Sequence, residues 1–204
     1  MTKYQTTAKN FWKAQKIYPL YQYTKDCRLY EINYLIPNII NSDSLLDLGC
    51  GDGALIKCLQ QLTHINKYYA YDVSSSLMGK FTKDVITKVY DCTAPTKLPL
   101  TDVTVIGSVL PFLLDDNKVL KLFDKIKSDK IYVSAPCTEK KEDELIRVYS
   151  KQFKCKYVAK YRTIENVLTL LRQKFTILDM IRTYPDSIES EFGTKHYYFE
   201  LTQL

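Results

Sequence analysis

The sequence predicts an α/β protein with a doubly wound, mostly parallel seven-stranded sheet. Helices cover both faces, the last strand runs antiparallel, and a helical lid precedes the core. Three observations predict it. Short apolar runs that read as strands alternate with amphipathic stretches that read as helices. The first apolar run, Ser44-Leu45-Leu46-Asp47-Leu48, breaks into Gly49-Cys50-Gly51-Asp52-Gly53, a glycine-rich turn that opens a helix. Three successive strands end at an acid: Asp47, Asp72 and Asp91.

The elements follow in order. Residues 7–40 read as helical in two or three pieces, with Pro19 interrupting them and Pro37 ending the last. Leu29, Ile32, Leu35 and Ile36 recur there at helical spacing. Ser44–Leu48 is a buried strand, and 53–62 a helix with Leu55, Leu59 and Leu62 on one side. Lys67–Tyr71 is a second strand ending at Asp72, and Ser74 caps a short helix to Phe81. Strands follow at 85–90, 103–106 and 130–134, with a helix at 119–126. Helices are expected at 142–151 and 164–174, and an antiparallel pair at 175–184 and 196–201 closes the sheet.

The 204 residues suit one domain, with 1–40 as the lid segment and 41–204 as the core. A hydrophobic share of 46% and a charged share of 25% fit a water-soluble globular chain able to bury a core without cross-links. No apolar run reaches the roughly 18 residues of a membrane span, and the first residues show no secretion signal, so a cytoplasmic protein is expected. None of the six cysteines forms a C-x-x-C pair, which reads as free thiols and no metal. The net charge of +6 comes from scattered lysines. It leaves room for an anionic small molecule and does not indicate nucleic acid, without excluding it.

Chemistry gathers at the strand ends, where open sheets bind ligands. Glycines there let a ligand approach the backbone, and the helix start offers unpaired N–H groups. Neighbouring carboxylates repel one another, so three at one sheet edge suit a ligand with positive charge and hydroxyl or amine donors. The spacing G-x-G-x-G is not the G-x-G-x-x-G of dinucleotide-binding folds.

Residues 44–53 (SLLDLGCGDG) resemble the first motif of the class I, Rossmann-like S-adenosylmethionine-dependent methyltransferases. Asp72 in YYAYDVS is similar to their acidic second motif, Asp91-Cys92 to the adenine-contacting motif, and 103–112 (VTVIGSVLPF) to the fourth-strand motif. The resemblance spans about residues 44–135. It implies S-adenosyl-L-methionine as cofactor, S-adenosyl-L-homocysteine as product, and these roles. Gly49, Cys50 and Gly51 border the methionine part, and Asp47 receives its ammonium. Asp72 takes the ribose hydroxyls, Val73 flanks the adenine, Asp91 accepts from its amine beside Cys92, and Ser108 or Val109 borders the cofactor after the fourth strand. The loop 107–112 is not the Asn/Asp-Pro-Pro-aromatic motif of nucleobase-amine methylation, which argues against DNA adenine as acceptor.

Methyl transfer needs alignment of the nucleophile and, for some acceptors, a base. Of two histidines, His64 reads as surface, and His196, at the start of the last strand, is the catalytic candidate. Tyr18, Tyr21 and Arg28 in the lid are the acceptor-binding candidates, with Trp12 and Tyr18 closing on the cofactor and Arg28 meeting either its carboxylate or an acidic acceptor. Arg147, Lys160, Arg162 and Arg182 are weighed as an anion-binding patch against a solvated face. The leading expectation is methylation of O or N on a small molecule, possible anions included, by a monomer or homodimer. An RNA or protein methyltransferase and a non-catalytic binding or partner subunit are the alternatives.

Overall fold

The computed structural model describes residues 3–15, 22–79, 81, 84–150, 155–186 and 193–204. A seven-stranded sheet runs through it in the order β3-β2-β1-β4-β5-β9-β8. The strands are β1 (Ser44–Leu48), β2 (Lys67–Asp72), β3 (Val85–Val89), β4 (Leu100–Gly107), β5 (Lys127–Thr138), β8 (Phe175–Arg182) and β9 (Thr194–Gln203). The first five pair in parallel, and β9 runs antiparallel to both β5 and β8. The predicted sheet is therefore the observed one.

Alternate strand residues serve opposite faces. Leu45, Val103, Val105, Tyr132 and Tyr198 meet Leu35 and Ile39 of α2 (Gln22–Ile39) and Ile56 and Leu59 of α3 (Ala54–Leu62). Leu46, Leu48, Ile106, Val133 and Phe199 meet Val119 and Phe123 of α4 (Asp116–Phe123) and Leu170 and Leu171 of α5 (Ile164–Arg172). Each such fully buried side chain contributes about 1.5–3 kcal/mol of transfer free energy. Asp102 lies inside β4 and not before it; its Oδ2 accepts from Asp43 N and Ser44 N at 2.6 and 2.9 Å, pinning the start of β1.

Several helical expectations are corrected. Helix α1 (Lys3–Lys13) starts earlier than residue 7, and α2 runs through Pro37 to Ile39. Proline in the last turn removes one hydrogen bond without stopping the turn, and Ile40 N still reaches Ile36 O at 3.1 Å. The buried stripe of α2 is Ile32, Leu35 and Ile39, with Leu29 57% exposed; on α3, Ile56 replaces Leu62, which is 52% exposed. Ser74 does accept from Leu77 N, but only a turn follows it. Three consecutive serines prefer local side-chain bonds to helix. Pro19 lies outside the described residues.

The largest correction concerns 142–151. This stretch is strand β6 (Glu144–Ser150), paired antiparallel with β7 (Cys155–Tyr161) in a separate two-stranded sheet. Pairing partners, invisible to a local reading, override helix-forming Glu, Leu and Arg. Strand β7 seats α1: the Phe11 ring meets Tyr157 at 5.1 Å, and Trp12 meets Phe112 at 5.0 Å. No helix among the described residues is long and apolar enough to cross a membrane.

Candidate functional site

The turn after β1 is built from left-handed glycines. Gly49, Gly51 and Gly53 have φ of 84°, 55° and 74°. A Cβ on Gly49 would also stand 2.4 Å from Val109 Cγ2, so glycine is required there twice over. Gly49 N and Cys50 N both donate to Tyr71 O, at 2.7 and 3.1 Å. Gly51 N donates to Asp72 Oδ2 at 3.0 Å, while Ser74 N donates to Oδ1 at 2.8 Å. The end of β2 therefore braces the turn, and Asp72 is the clasp.

A cavity of about 200 Å³ opens beside this turn. Asp47, Gly49, Cys50, Gly51, Ser108, Arg28 and His196, all singled out from the sequence, line it together. Arg28 Nη2 pairs with Asp52 Oδ1 at 3.0 Å. Glu31, one turn further along α2, accepts from the Tyr184 hydroxyl at 2.5 Å. The Tyr184 ring lies 4.7 Å from that of His196. Ser108 is held at φ 53°, an uncommon conformation for a side chain with a Cβ, with its N–H on Ser134 O at 3.1 Å. A Cβ on Gly107 would meet no atom within 4 Å, so the β4 end borders open space.

The electrostatics are unbalanced. Three carboxyl residues and one guanidinium line the cavity. Asp47 is 3% exposed and has no hydrogen-bond or ion-pair partner among the described residues. Burial, then the nearby Asp72 and Glu31 carboxyls, push its pKa up to about 8. Burial also raises Glu31, against the Tyr184 hydrogen bond and Arg28, and raises Asp72 against the backbone N–H groups it accepts. The Cys50 thiol is pushed up by burial and by the Asp47, Asp72 and Asp52 carboxyls.

Asp72, Val73, Asp91 and Cys92 do not line this cavity. Asp91 is engaged by α1 instead: Lys9 Nζ donates to its Oδ2 at 2.5 Å, and Thr93 N and Oγ1 to Oδ1 at 2.9 and 2.7 Å. Burial alone would raise Asp91, but Lys9 and Thr93 hold it below the usual carboxylate range. Gln5 completes the attachment, its Nε2 donating to Phe112 O and its Oε1 accepting from Leu114 N, at 2.7 and 2.9 Å. Sequence reasoning missed Glu31, Tyr184, Lys9 and Gln5. Only Glu31 carried a signal, lying three residues after Arg28 on one helix.

The other candidates separate from the site. Tyr18 and Tyr21 lie outside the described residues. His64 is exposed. Arg147 stacks on Tyr4 at 3.9 Å, and Arg182 pairs with Asp186. Arg162 is 2% exposed; it bonds Leu110 O, Leu113 O and Asp116 at 3.0, 2.6 and 2.7 Å, while Lys160 bridges Asp116 and Asp143. Lys160, Arg162 and Arg182 are thus paired with acids, and Arg147 with a tyrosine. The five described cysteines are free thiols, and no group of three metal-ligating side chains occurs among the described residues.

The strand order, the crossover between β1 and β4 and the glycine turn define a fold class: that of the S-adenosylmethionine-dependent methyltransferases. No family model and no curated protein matches the sequence. Among solved structures, the chain is similar to the N-methyltransferase NodS of Bradyrhizobium japonicum in complex with S-adenosyl-l-homocysteine. The TM-score is 0.66 at 14% identity, covering 98% of this chain and 97% of that one. A Leishmania major S-adenosylmethionine-dependent methyltransferase of the DUF858 family gives 0.70 at 13% identity, covering 98% and 83%. The Burkholderia thailandensis 1,6-didemethyltoxoflavin-N1-methyltransferase, with 1,6-didemethyltoxoflavin and S-adenosylhomocysteine bound, gives 0.63 at 14%, covering 87% and 78%.

Proposed function

We propose that this chain is an S-adenosylmethionine-dependent methyltransferase that transfers a methyl group to an O or N atom of a small-molecule acceptor. One observation carries the reading: a buried, unpartnered Asp47 carboxyl lines a cavity beside a left-handed glycine turn. The donor set fits the cofactor. Asp47 would hold its ammonium and Arg28 its carboxylate, with Gly49, Cys50, Gly51 and Ser108 bordering the methionine part. Asp72, braced by the N–H groups of Gly51 and Ser74, would take the ribose hydroxyls. Asp91 and Cys92 would meet the adenine, with Val73 at its flank. S-adenosylmethionine supplies a methyl group already activated by a sulfonium.

The chain's own residues then have two tasks. They hold the acceptor atom in line, which converts a bimolecular step into an effectively unimolecular one. They also receive a proton where the acceptor carries one, with His196 and Glu31 within the same cavity. Three carboxyl residues around that cavity weigh against the anionic acceptor that the net charge alone suggested. Two solved neighbours are N-methyltransferases, one of them with the small molecule 1,6-didemethyltoxoflavin bound, which lends support to that acceptor class.

The experiment is a product assay. The protein is incubated with S-adenosylmethionine and panels of small amines, alcohols and carboxylic acids, and S-adenosylhomocysteine is quantified by chromatography. At least one panel member should raise product formation well above the acceptor-free rate, and Asp47→Asn should lower it by about tenfold or more, as expected for a charge-assisted contact. Acceptor-independent background in every panel would contradict the proposal.

A further inference from the structure

We infer that the acceptor is an amine that enters as its ammonium, and that Glu31, held by Tyr184, is the carboxylate that recognises it. The inference rests on the methyltransferase reading above. Its basis is the lining of the cavity. The glycine turn and Asp47 belong to the cofactor. Glu31 from α2 lines the same cavity together with Tyr184, which follows β8, and His196 of β9.

Charge decides between acceptor classes. Arg28 answers Asp52 at 3.0 Å. Bound S-adenosylmethionine carries one net positive charge, with its ammonium directed to Asp47. Glu31 then keeps a negative charge in a site walled by aromatic rings. Its one hydrogen-bond donor among the described residues is the Tyr184 hydroxyl. Glu31 is half-buried, and desolvation raises its pKa against the Tyr184 hydrogen bond and the nearby Arg28 guanidinium. An alcohol would leave that charge unanswered. An anion would add to it. An ammonium neutralises it, in a cavity that Tyr184 and Tyr198 also line.

Tyr184 is the positioning residue. Its hydroxyl fixes one Glu31 oxygen and leaves the other for the ligand. Proton and electron bookkeeping closes without any further reactant. The ammonium passes one proton to Glu31, and the freed lone pair forms the N–C bond. The C–S bond breaks with its pair going to sulfur, which departs as a neutral thioether, and Glu31 releases the proton to solvent.

The test uses two cofactor analogues and the full chain. S-adenosylhomocysteine has a neutral thioether; sinefungin carries an amine on the carbon that replaces the sulfonium, in the place of the transferred methyl group and pointing toward the acceptor. Calorimetric titrations are made with wild type, Glu31→Gln and Tyr184→Phe. Wild type should bind sinefungin about tenfold or more tighter than S-adenosylhomocysteine, the gain of one charge-assisted contact. Glu31→Gln should abolish that preference while binding S-adenosylhomocysteine within about threefold of wild type, which also reports an intact fold. Tyr184→Phe keeps the ring and should lose part of the preference. Equal affinities in wild type, or a preference that survives Glu31→Gln, would overturn the amine assignment alone. Failure to bind either compound would overturn both it and the cofactor reading.

Discussion

Asp47 shows what the free site costs the fold. Its pKa of about 8 lies above the usual 3.8 because burial and the Asp72 and Glu31 carboxyls disfavour its charge. The folded chain therefore holds a proton that the unfolded chain releases near pH 4. Its contribution to stability is complete below that pH and is lost as pH rises through about 8. Asp47→Asn removes the dependence. Thermal unfolding should show the wild-type Tm falling relative to Asp47→Asn between pH 5 and pH 9, with each ~1 kcal/mol appearing as about 2–4 °C in a chain this long. Parallel pH profiles would contradict the burial of an unpartnered carboxyl. At this scale the sequence was most informative where backbone chemistry constrains residue type. The glycines and the acids at strand ends stood out because only glycine suits the turn and only a ligand or a clasp excuses the acids. Tyr184 did not, because one tyrosine among 17 carries no local mark.

At the scale of elements, the informative failure is β6. Residues 144–150 hold helix formers, yet Arg147 lies opposite Val158 and Val148 opposite Tyr157 in an antiparallel ladder. Strand identity here lives in a partner that follows it in sequence, so no window confined to 142–151 could contain it. The hairpin matters because β7 supports α1, and α1 in turn ties down Asp91 and the loop after β4 through Lys9 and Gln5. Arg162 holds that same loop from the other side, through Leu110 O, Leu113 O and Asp116. Removing a buried, bonded arginine leaves two carbonyls and a carboxylate short of a donor. Arg162→Ala should therefore cost about 3–5 kcal/mol in urea unfolding. A change below about 1 kcal/mol would show that the loop holds its shape without it. The Ser74 turn makes the same point on a smaller scale: the cap was legible, but the helix behind it was not there to cap.

For the whole molecule, the sheet was the most legible feature. Apolar strand runs alternating with helices specify parallel pairing and two covered faces, and the crossover between β1 and β4 follows from right-handed connections. That crossover puts the β1 turn and the β4 end side by side, and the cavity lies where they meet. What the pattern could not supply was the closure of the site by α2 and by the β8–β9 segment, because those contacts join residues as far apart as Glu31 and Tyr184.

The central claim is that this cavity receives the methionine end of the cofactor. Gly107 offers the most direct test, because its φ is not left-handed and a Cβ there meets no protein atom. Gly107→Val should fold with an unchanged Tm while filling space the ligand needs. Calorimetric titration with S-adenosylhomocysteine should give saturable micromolar binding to wild type, weakened about tenfold or more in Gly107→Val, a loss of about 1.4 kcal/mol or more. Absence of binding to folded wild type, or equal binding to both proteins, would contradict the claim.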